Sequence, residues 1–198
     1  MILDRGYVHG GDVYSRPVRL DFSANVNPFG TPEAVKAAVR ASAESIAVYP
    51  DPYCGPLREK LAALNGLERE DIVCGNGAAE LIYQFALALK PGSVLVPVPS
   101  FADYESALEA AGCGPDFYPL RRENGFLLTE DVLDAVRPGV DLIVLCTPDN
   151  PTGRSVPREL LIKILDRCRE TGTWLFLDEC FFELTDEDKE EKPAVSIA

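Results

Sequence analysis

The 198 residues carry 19 Lys+Arg against 32 Asp+Glu, a formal net charge of −13, with 46% hydrophobic and 26% charged residues. These values suit a folded chain with a sizeable core and argue against disorder. A chain this acidic is a poor partner for nucleic acid or an anionic membrane surface, and no apolar run reaches the roughly 18–20 residues that span a bilayer.

The N-terminal stretch MILDRGYVHGGD has no apolar h-region, so no secretory signal is expected and the expected location is the cytoplasm. Residues 31–46 open on Thr31, Pro32 and Glu33, which read as N-cap, N1 and N2 of a helix. Val35, Val39 and Ile46 then recur near helical spacing. A second helix is expected over 56–65, with Leu57, Leu61 and Leu64 on one face. Residues 72–74 read as a strand that passes through Gly75-Asn76-Gly77 into a helix over 78–89. Leu81, Ile82, Phe85 and Leu89 stripe that helix, and Pro91-Gly92 stops it. Residues 93–98 form a short apolar strand, 102–111 a helix ended by Gly112, and Thr129 caps a short helix through Val136.

The run DLIVLC over 141–146 has the composition of a strand buried on both faces. An amphipathic helix over 157–169 and a second buried strand, TWLFL over 173–177, complete a βαβ unit. The fold class is α/β, with a mostly parallel or mixed sheet sandwiched by helices. The acidic stretch over 183–192 reads as a solvated surface segment.

The six cysteines, Cys54, Cys74, Cys113, Cys146, Cys168 and Cys180, include no CxxC pair. They read as buried, reduced thiols. His9 is the single histidine, so neither a multi-histidine metal site nor a Ser-His-Asp triad in the helical core is expected.

Four segments place glycines or polar residues where strands should end, which is where open α/β sheets bind ligands. In Gly75-Asn76-Gly77-Ala78-Ala79-Glu80, the free N–H groups of a helix start would attract a phosphate, although such a segment also serves as a plain turn. Glu80 occupies the third glycine position of a dinucleotide fingerprint and argues against a pyrophosphate there. In Thr147-Pro148-Asp149-Asn150-Pro151-Thr152-Gly153, two prolines hold Asn150 on a stiff loop, as an Asx-type turn or as an amide offered to a ligand. Asp178-Glu179 leaves a buried strand, facing water or pairing with a cation. Tyr49-Pro50-Asp51-Pro52 is a proline-stiffened loop.

Taken in order, G-N-G-A-A-E, P-S-F, D-N-P-T-G and D-E after an apolar strand resemble the fold-type I pyridoxal-phosphate enzymes of the aspartate aminotransferase superfamily. Y-P-D-P, G-N-G-x-x-E and N-P-T-G look like the branch holding histidinol-phosphate aminotransferase and threonine-phosphate decarboxylase. His9-Gly10-Gly11-Asp12, followed by Asp21-Phe22-Ser23-Ala24-Asn25-Val26-Asn27-Pro28, is similar to the decarboxylases of cobalamin biosynthesis. The resemblance runs from His9 to about Thr185. It implies an N-terminal arm over 1–30 that contacts substrate, and an incomplete large domain over 31–198 that binds pyridoxal 5′-phosphate. Gly75, Asn76 and Gly77 would hold the cofactor phosphate, and Phe101 would lie against the pyridine face, unless it serves only as a core contact at its helix start. Asn150 would bond the phenolic oxygen and sit near substrate, and Asp178 would pair with the pyridine nitrogen. Tyr49 would reach the cofactor phosphate of a second subunit in a homodimer, and His9, Gly10 and Asn25 would touch a small phosphorylated amino-acid substrate.

Two departures matter. Asp178-Glu179-Cys180-Phe181 stands where many relatives have D-E-A-Y, and decarboxylases often carry Phe there. The Schiff-base lysine of an S-x-x-K motif and the small-domain arginine are not found: Lys36, Lys60, Lys90, Lys163, Lys189 and Lys192 all lie outside such a motif. The expectation is therefore the N-terminal part of a threonine-phosphate decarboxylase, inactive alone. The alternatives are an aminotransferase of histidinol phosphate or another amino acid, and a non-catalytic protein that keeps the fold.

Overall fold

The computed structural model describes residues 10–15 and 17–185, which divide into two units at Gly55/Pro56. In the N-terminal unit, α1 (Glu33–Ser42) continues into a 3-10 turn (Ala43–Ser45). Pro32, with φ −56° and ψ 144°, is the N-cap rather than the first helical residue, and Thr31 lies outside the helix. The extended ψ of Pro32 delays the helix by one residue.

The second unit holds α2 (Gly55–Asn65, which starts at the boundary), α3 (Ala78–Leu89), β1 (Val94–Val98), α4 (Ala102–Ala110) and β2 (Asp116–Pro119). It continues with α5 (Val132–Ala135), β3 (Leu142–Cys146), α6 (Arg158–Thr171) and β4 (Trp174–Asp178). The sheet order is β2-β1-β3-β4 and every pairing is parallel. Chain order thus steps from β1 to β2 on one side, then crosses to β3 on the other, which makes the C-terminal ends of β1 and β3 the switch point of the sheet.

Alternation along the strands builds two cores. Val94, Val96, Leu142, Val144 and Cys146 face α3 and α4, where Ile82, Ala86, Tyr104, Ala107 and Leu108 are buried. Leu95, Ile143 and Leu145 face α5 and α6, against Val132, Leu160, Leu161, Ile164 and Cys168. All five residues of β3 are buried, as DLIVLC demands of a central strand. On β4, Phe176 packs on the α3/α4 side and Leu175 and Leu177 on the other, so by period 2 Asp178 falls on the α3/α4 side.

Several expectations are corrected. Residues 72–74 form no strand: nothing described pairs with them, and Val73 is exposed. The 129–136 helix shortens to α5, because the Thr129 hydroxyl bonds the Asp131 carboxylate instead of capping the backbone. Leu57 and Leu64 of α2 are exposed, and the buried apolar side chain there is Ala62. Strand β2 carried no apolar run to announce it: Asp116–Pro119 is an edge strand, largely exposed, recruited by its ladder with β1. Of the six cysteines only Cys113, Cys146 and Cys168 are buried; Cys54 and Cys74 are half-buried and Cys180 is exposed on the turn after β4.

Candidate active site

The site is assembled at the C-terminal strand ends of the second unit. Helix α3 ends at Leu89 with Lys90 as its C-cap, and only three residues separate that cap from Val94, so the helix runs antiparallel to β1. Its 12 residues span about 18 Å, close to the length of the strand. The Gly75–Gly77 turn at its start therefore lies toward the C-terminal end of β1, and so does the start of α4, which follows β1 directly.

Gly77 is the N-cap of α3, with φ 89° and ψ 170°, a conformation open essentially to glycine alone, and a Cβ there would meet nothing within 4 Å. It offers no side-chain cap, so the first N–H groups of α3 face outward from an exposed turn. The Asn76 N–H is committed elsewhere: it donates to Glu80, whose Oε2 also accepts from Asn76 Nδ2 at 2.9 Å, while Gln84 holds Oε1 at 3.0 Å. The glycine turn thus uses Asn76 and Glu80 to hold its own shape and leaves the helix start at Gly77 without a side-chain cap.

Asp178 ends β4 opposite Cys146 of β3 and is 8% exposed. Its Oδ2 accepts the Tyr104 hydroxyl at 2.8 Å and its Oδ1 accepts the Cys180 N–H at 2.9 Å. Its carbonyl accepts Thr147 N–H at 2.9 Å, which carries the β3–β4 ladder into the next loop. Among the described residues, no cationic side chain lies within ion-pair distance of this carboxylate. The Cys180 thiol also addresses this carboxylate, and a buried carboxylate held only by neutral donors retains lone-pair capacity for a positively charged one.

The 147–153 loop follows β3. Both Thr147-Pro148 and Asn150-Pro151 are cis. Asn150 is half-buried and its backbone N–H addresses the Cys146 sulfur, which donates in turn to Pro148 O at 3.1 Å. Asn150 and Asp178 are thus brought to the same strand ends, on either side of Cys146. Burial pushes the Cys146 thiol up to about 11 and holds it neutral. Asp149 accepts Thr152 Oγ1 at 2.5 Å and Thr152 N at 3.2 Å; its carboxyl is raised above the ordinary 3.8 by burial, with the Thr152 bonds pulling the other way.

Phe101 is the N-cap residue of α4 and half-buried; it packs on the α3/α4 core and meets Tyr104 edge to face, with ring centroids 5.7 Å apart. Tyr104 was missed in the sequence. Its signal was available: a tyrosine one helical turn after Phe101, and one turn before Ala107 and Leu108, lies on the apolar face of its helix and needs a partner for its hydroxyl. Cys146, also missed, sits at the centre of the cluster.

The other sequence candidates lie in the first unit. Gly10 abuts Ser23, so close that a Cβ would lie 1.8 Å from the Ser23 carbonyl oxygen, and Gly11 N–H donates to Ser23 Oγ at 2.8 Å. The Gly10-Gly11 and Asp21–Asn25 segments are therefore brought together at Ser23, and Asn25 is exposed. Tyr49 is exposed. His9, Lys189 and Lys192 lie outside the described residues.

A parallel α/β sheet with an anion-receptive helix start and a buried carboxylate at its strand ends defines a class of cofactor-binding domain. Residues 18–197 match the aminotransferase class I and II family, and the chain belongs to it. The cofactor of that family is pyridoxal 5′-phosphate. The chain is 39% identical over 183 residues to threonine-phosphate decarboxylase of Salmonella typhimurium, covering 88% of this chain and 50% of the relative. It is 36% identical over 172 residues to histidinol-phosphate aminotransferase of Methanosarcina mazei, covering 84% and 45%. Its fold superposes on the solved L-threonine-O-3-phosphate decarboxylase of Porphyromonas gingivalis with a TM-score of 0.67 at 28% identity, covering 80% of this chain and 46% of that one. The chain spans about half the length of the curated relatives it matches.

Among the described residues, no helix is long and apolar enough to cross a membrane, and no group of His, Cys, Asp and Glu could hold a metal ion.

Proposed function

We propose that this chain is the cofactor-binding portion of a pyridoxal-phosphate-dependent carboxy-lyase that acts on threonine phosphate. The carrying observation is the 8%-exposed Asp178 carboxylate, held only by neutral donors at the end of β4 with no cation beside it among the described residues. Such a carboxylate suits a protonated pyridine nitrogen. When bound, the cofactor supplies an electron sink for the pair released at the substrate Cα.

The chain's own residues have separable tasks. The Gly75–Gly77 turn and the start of α3 bind the phosphate, with the helix dipole favouring the anion. Asp178 keeps the proton on the ring nitrogen. Asn150 orients the ring through its phenolic oxygen, and Phe101 covers one face of it and excludes water. Gly10 and Asn25, with His9, grip the substrate phosphate or carboxylate, and Tyr49 reaches the cofactor phosphate of a second subunit in a homodimer. The boundaries proposed for these tasks are an arm over 1–30 and a cofactor domain from 31 onward. The 39% identity to a threonine-phosphate decarboxylase supports this substrate. A 32% identity over 166 residues to an adenosylcobalamin biosynthesis bifunctional protein of Leptospira interrogans supports a place in cobalamin biosynthesis, and the location proposed is the cytoplasm. A second reading, amino transfer on histidinol phosphate, is supported by 36% identity to a histidinol-phosphate aminotransferase.

The test joins the chain to the rest of its enzyme. CO₂ release from threonine phosphate is expected, and a 2-oxo acid acceptor run in parallel should gain no amine. Amine transfer without CO₂ would replace this reading by the second. The 198-residue chain alone should bind pyridoxal phosphate without turnover, and borohydride reduction with peptide mapping should find no unique pyridoxyl-lysine.

A further inference from the structure

Tyr104 occupies an unusual position. It is 2% exposed, on the helix that starts at Phe101, and its hydroxyl reaches across 74 residues of sequence to Asp178. We infer that Tyr104 is a positioning residue for Asp178: its hydroxyl fixes one oxygen of the carboxylate so that the remaining lone pairs present to a ring N–H. This rests on the assignment of Asp178 proposed above.

The physical case has three parts. First, the side chain has little freedom: the ring is enclosed by the α3/α4 core and braced edge to face by Phe101 at 5.7 Å. Second, the carboxylate is held at both ends, Oδ2 by Tyr104 at 2.8 Å and Oδ1 by the Cys180 N–H at 2.9 Å. The N–H and thiol of Cys180 both come from the turn after β4, so Tyr104 is the donor that holds the carboxylate from the α4 side, and donors on both oxygens set its plane. Third, Tyr104 donates at any working pH. Burial, reinforced by Cys146 and Asp178, drives its hydroxyl far above the ordinary tyrosine range, so it holds its proton. Tyr104 thereby couples Phe101, proposed for the face of the ring, to Asp178, proposed for its edge.

The test uses the 198-residue chain and two probes: pyridoxal 5′-phosphate, and its benzene analogue, in which C–H replaces the ring nitrogen. Dissociation constants are measured by calorimetry for the unsubstituted chain, Tyr104→Phe and Asp178→Ala. Tyr104→Phe should weaken the pyridine probe about five- to tenfold and move the benzene analogue by less than about twofold. Asp178→Ala should discriminate between the probes in the same sense and more strongly. Equal weakening of both probes in Tyr104→Phe, or of neither, while Asp178→Ala still discriminates, would overturn the positioning role alone. Absence of discrimination in Asp178→Ala, or no binding by the unsubstituted chain, would overturn the assignment of Asp178 and this inference with it. Should Tyr104→Phe lose its circular dichroism, 2,3-difluorotyrosine at position 104 keeps the shape and strengthens the donor. It should tighten the pyridine probe selectively, and an unchanged ratio would overturn the inference.

Discussion

The two units of the chain are shaped by different forces. Residues 10–55 are organised by short-range polar bonds: Asp12 accepts the N–H groups of Tyr14 and Ser15, Asp21 that of Ser23, Asn27 that of Phe29, and Asp51 those of Tyr53 and Gly55. Their apolar side chains stay in solvent, with Phe22 at 91% and Phe29 at 96% exposed. The unit that follows is organised by burial, with a sheet whose central strand is enclosed on both faces. Local hydrogen bonds can give a segment its shape, but only a layered core can hold a carboxylate out of water. That is why the first unit offers exposed side chains such as Asn25 and the second offers a desolvated Asp178.

The largest expected effect lies in the second unit. In the complete enzyme, Asp178→Ala should lower turnover about a thousandfold, the scale of losing a group that stabilises developing charge in a dry site. Near-normal steady-state rates would dissolve the distinction between the two units as regards chemistry. Asn25→Ala, in the exposed unit, should instead raise KM for the phosphorylated substrate while leaving cofactor affinity unchanged, as parallel kinetic and binding titrations would show.

One substitution made twice sharpens the contrast in stability. Ile164 is fully buried and Ile46 is 85% exposed. Ile164→Ala should cost about 3 kcal/mol in a denaturant melt, and Ile46→Ala less than about 0.5 kcal/mol. Equal losses would mean that the first unit depends on packing as much as the second.

Gly77→Ala comes next. The introduced methyl meets no atom, so its cost of about 1–3 kcal/mol is purely conformational, arising from φ 89°. Phosphate-probe binding should fall with it, measurable by titration with pyridoxal phosphate.

The smallest effect concerns Asp149. Its folded-state carboxyl is raised by burial, so the folded chain binds that proton more tightly than the unfolded chain does. The associated stability is present below about pH 4, the unfolded value, and is lost as pH rises through the folded value. Asp149→Asn keeps an acceptor for Thr152 and cannot ionise. It should flatten that decline and gain less than about 1 kcal/mol at neutral pH. Melts at several pH values would check it, and a variant weakened at neutral pH would reverse the sign.

The amino-acid pattern alone determined the elements with strong local character. DLIVLC specifies a buried strand because five apolar residues in a row have no solvent face to offer. TWLFL, with four, forms the expected strand but lies at the edge of the described sheet, with Trp174 60% exposed and Leu175, Phe176 and Leu177 only half-buried. Pro91-Gly92, and Gly112 with its φ of 85°, end helices for reasons internal to the backbone. The same locality made the glycine turn, the Asn150 loop and Asp178 legible as site candidates. Tertiary structure decided what depends on a partner distant in sequence. Asp116–Pro119 is a strand only because β1 lies beside it, and residues 72–74 are not one because nothing described pairs with them. Val35 and Leu57 carry helical periodicity yet remain exposed, because a periodic stripe states which face is apolar and not whether a neighbour covers it. The bond from Tyr104 to Asp178 closes a separation of 74 residues. It exists because β4 docks on β3 with Asp178 opposite Cys146, beneath a helix that no local signal ties to that strand.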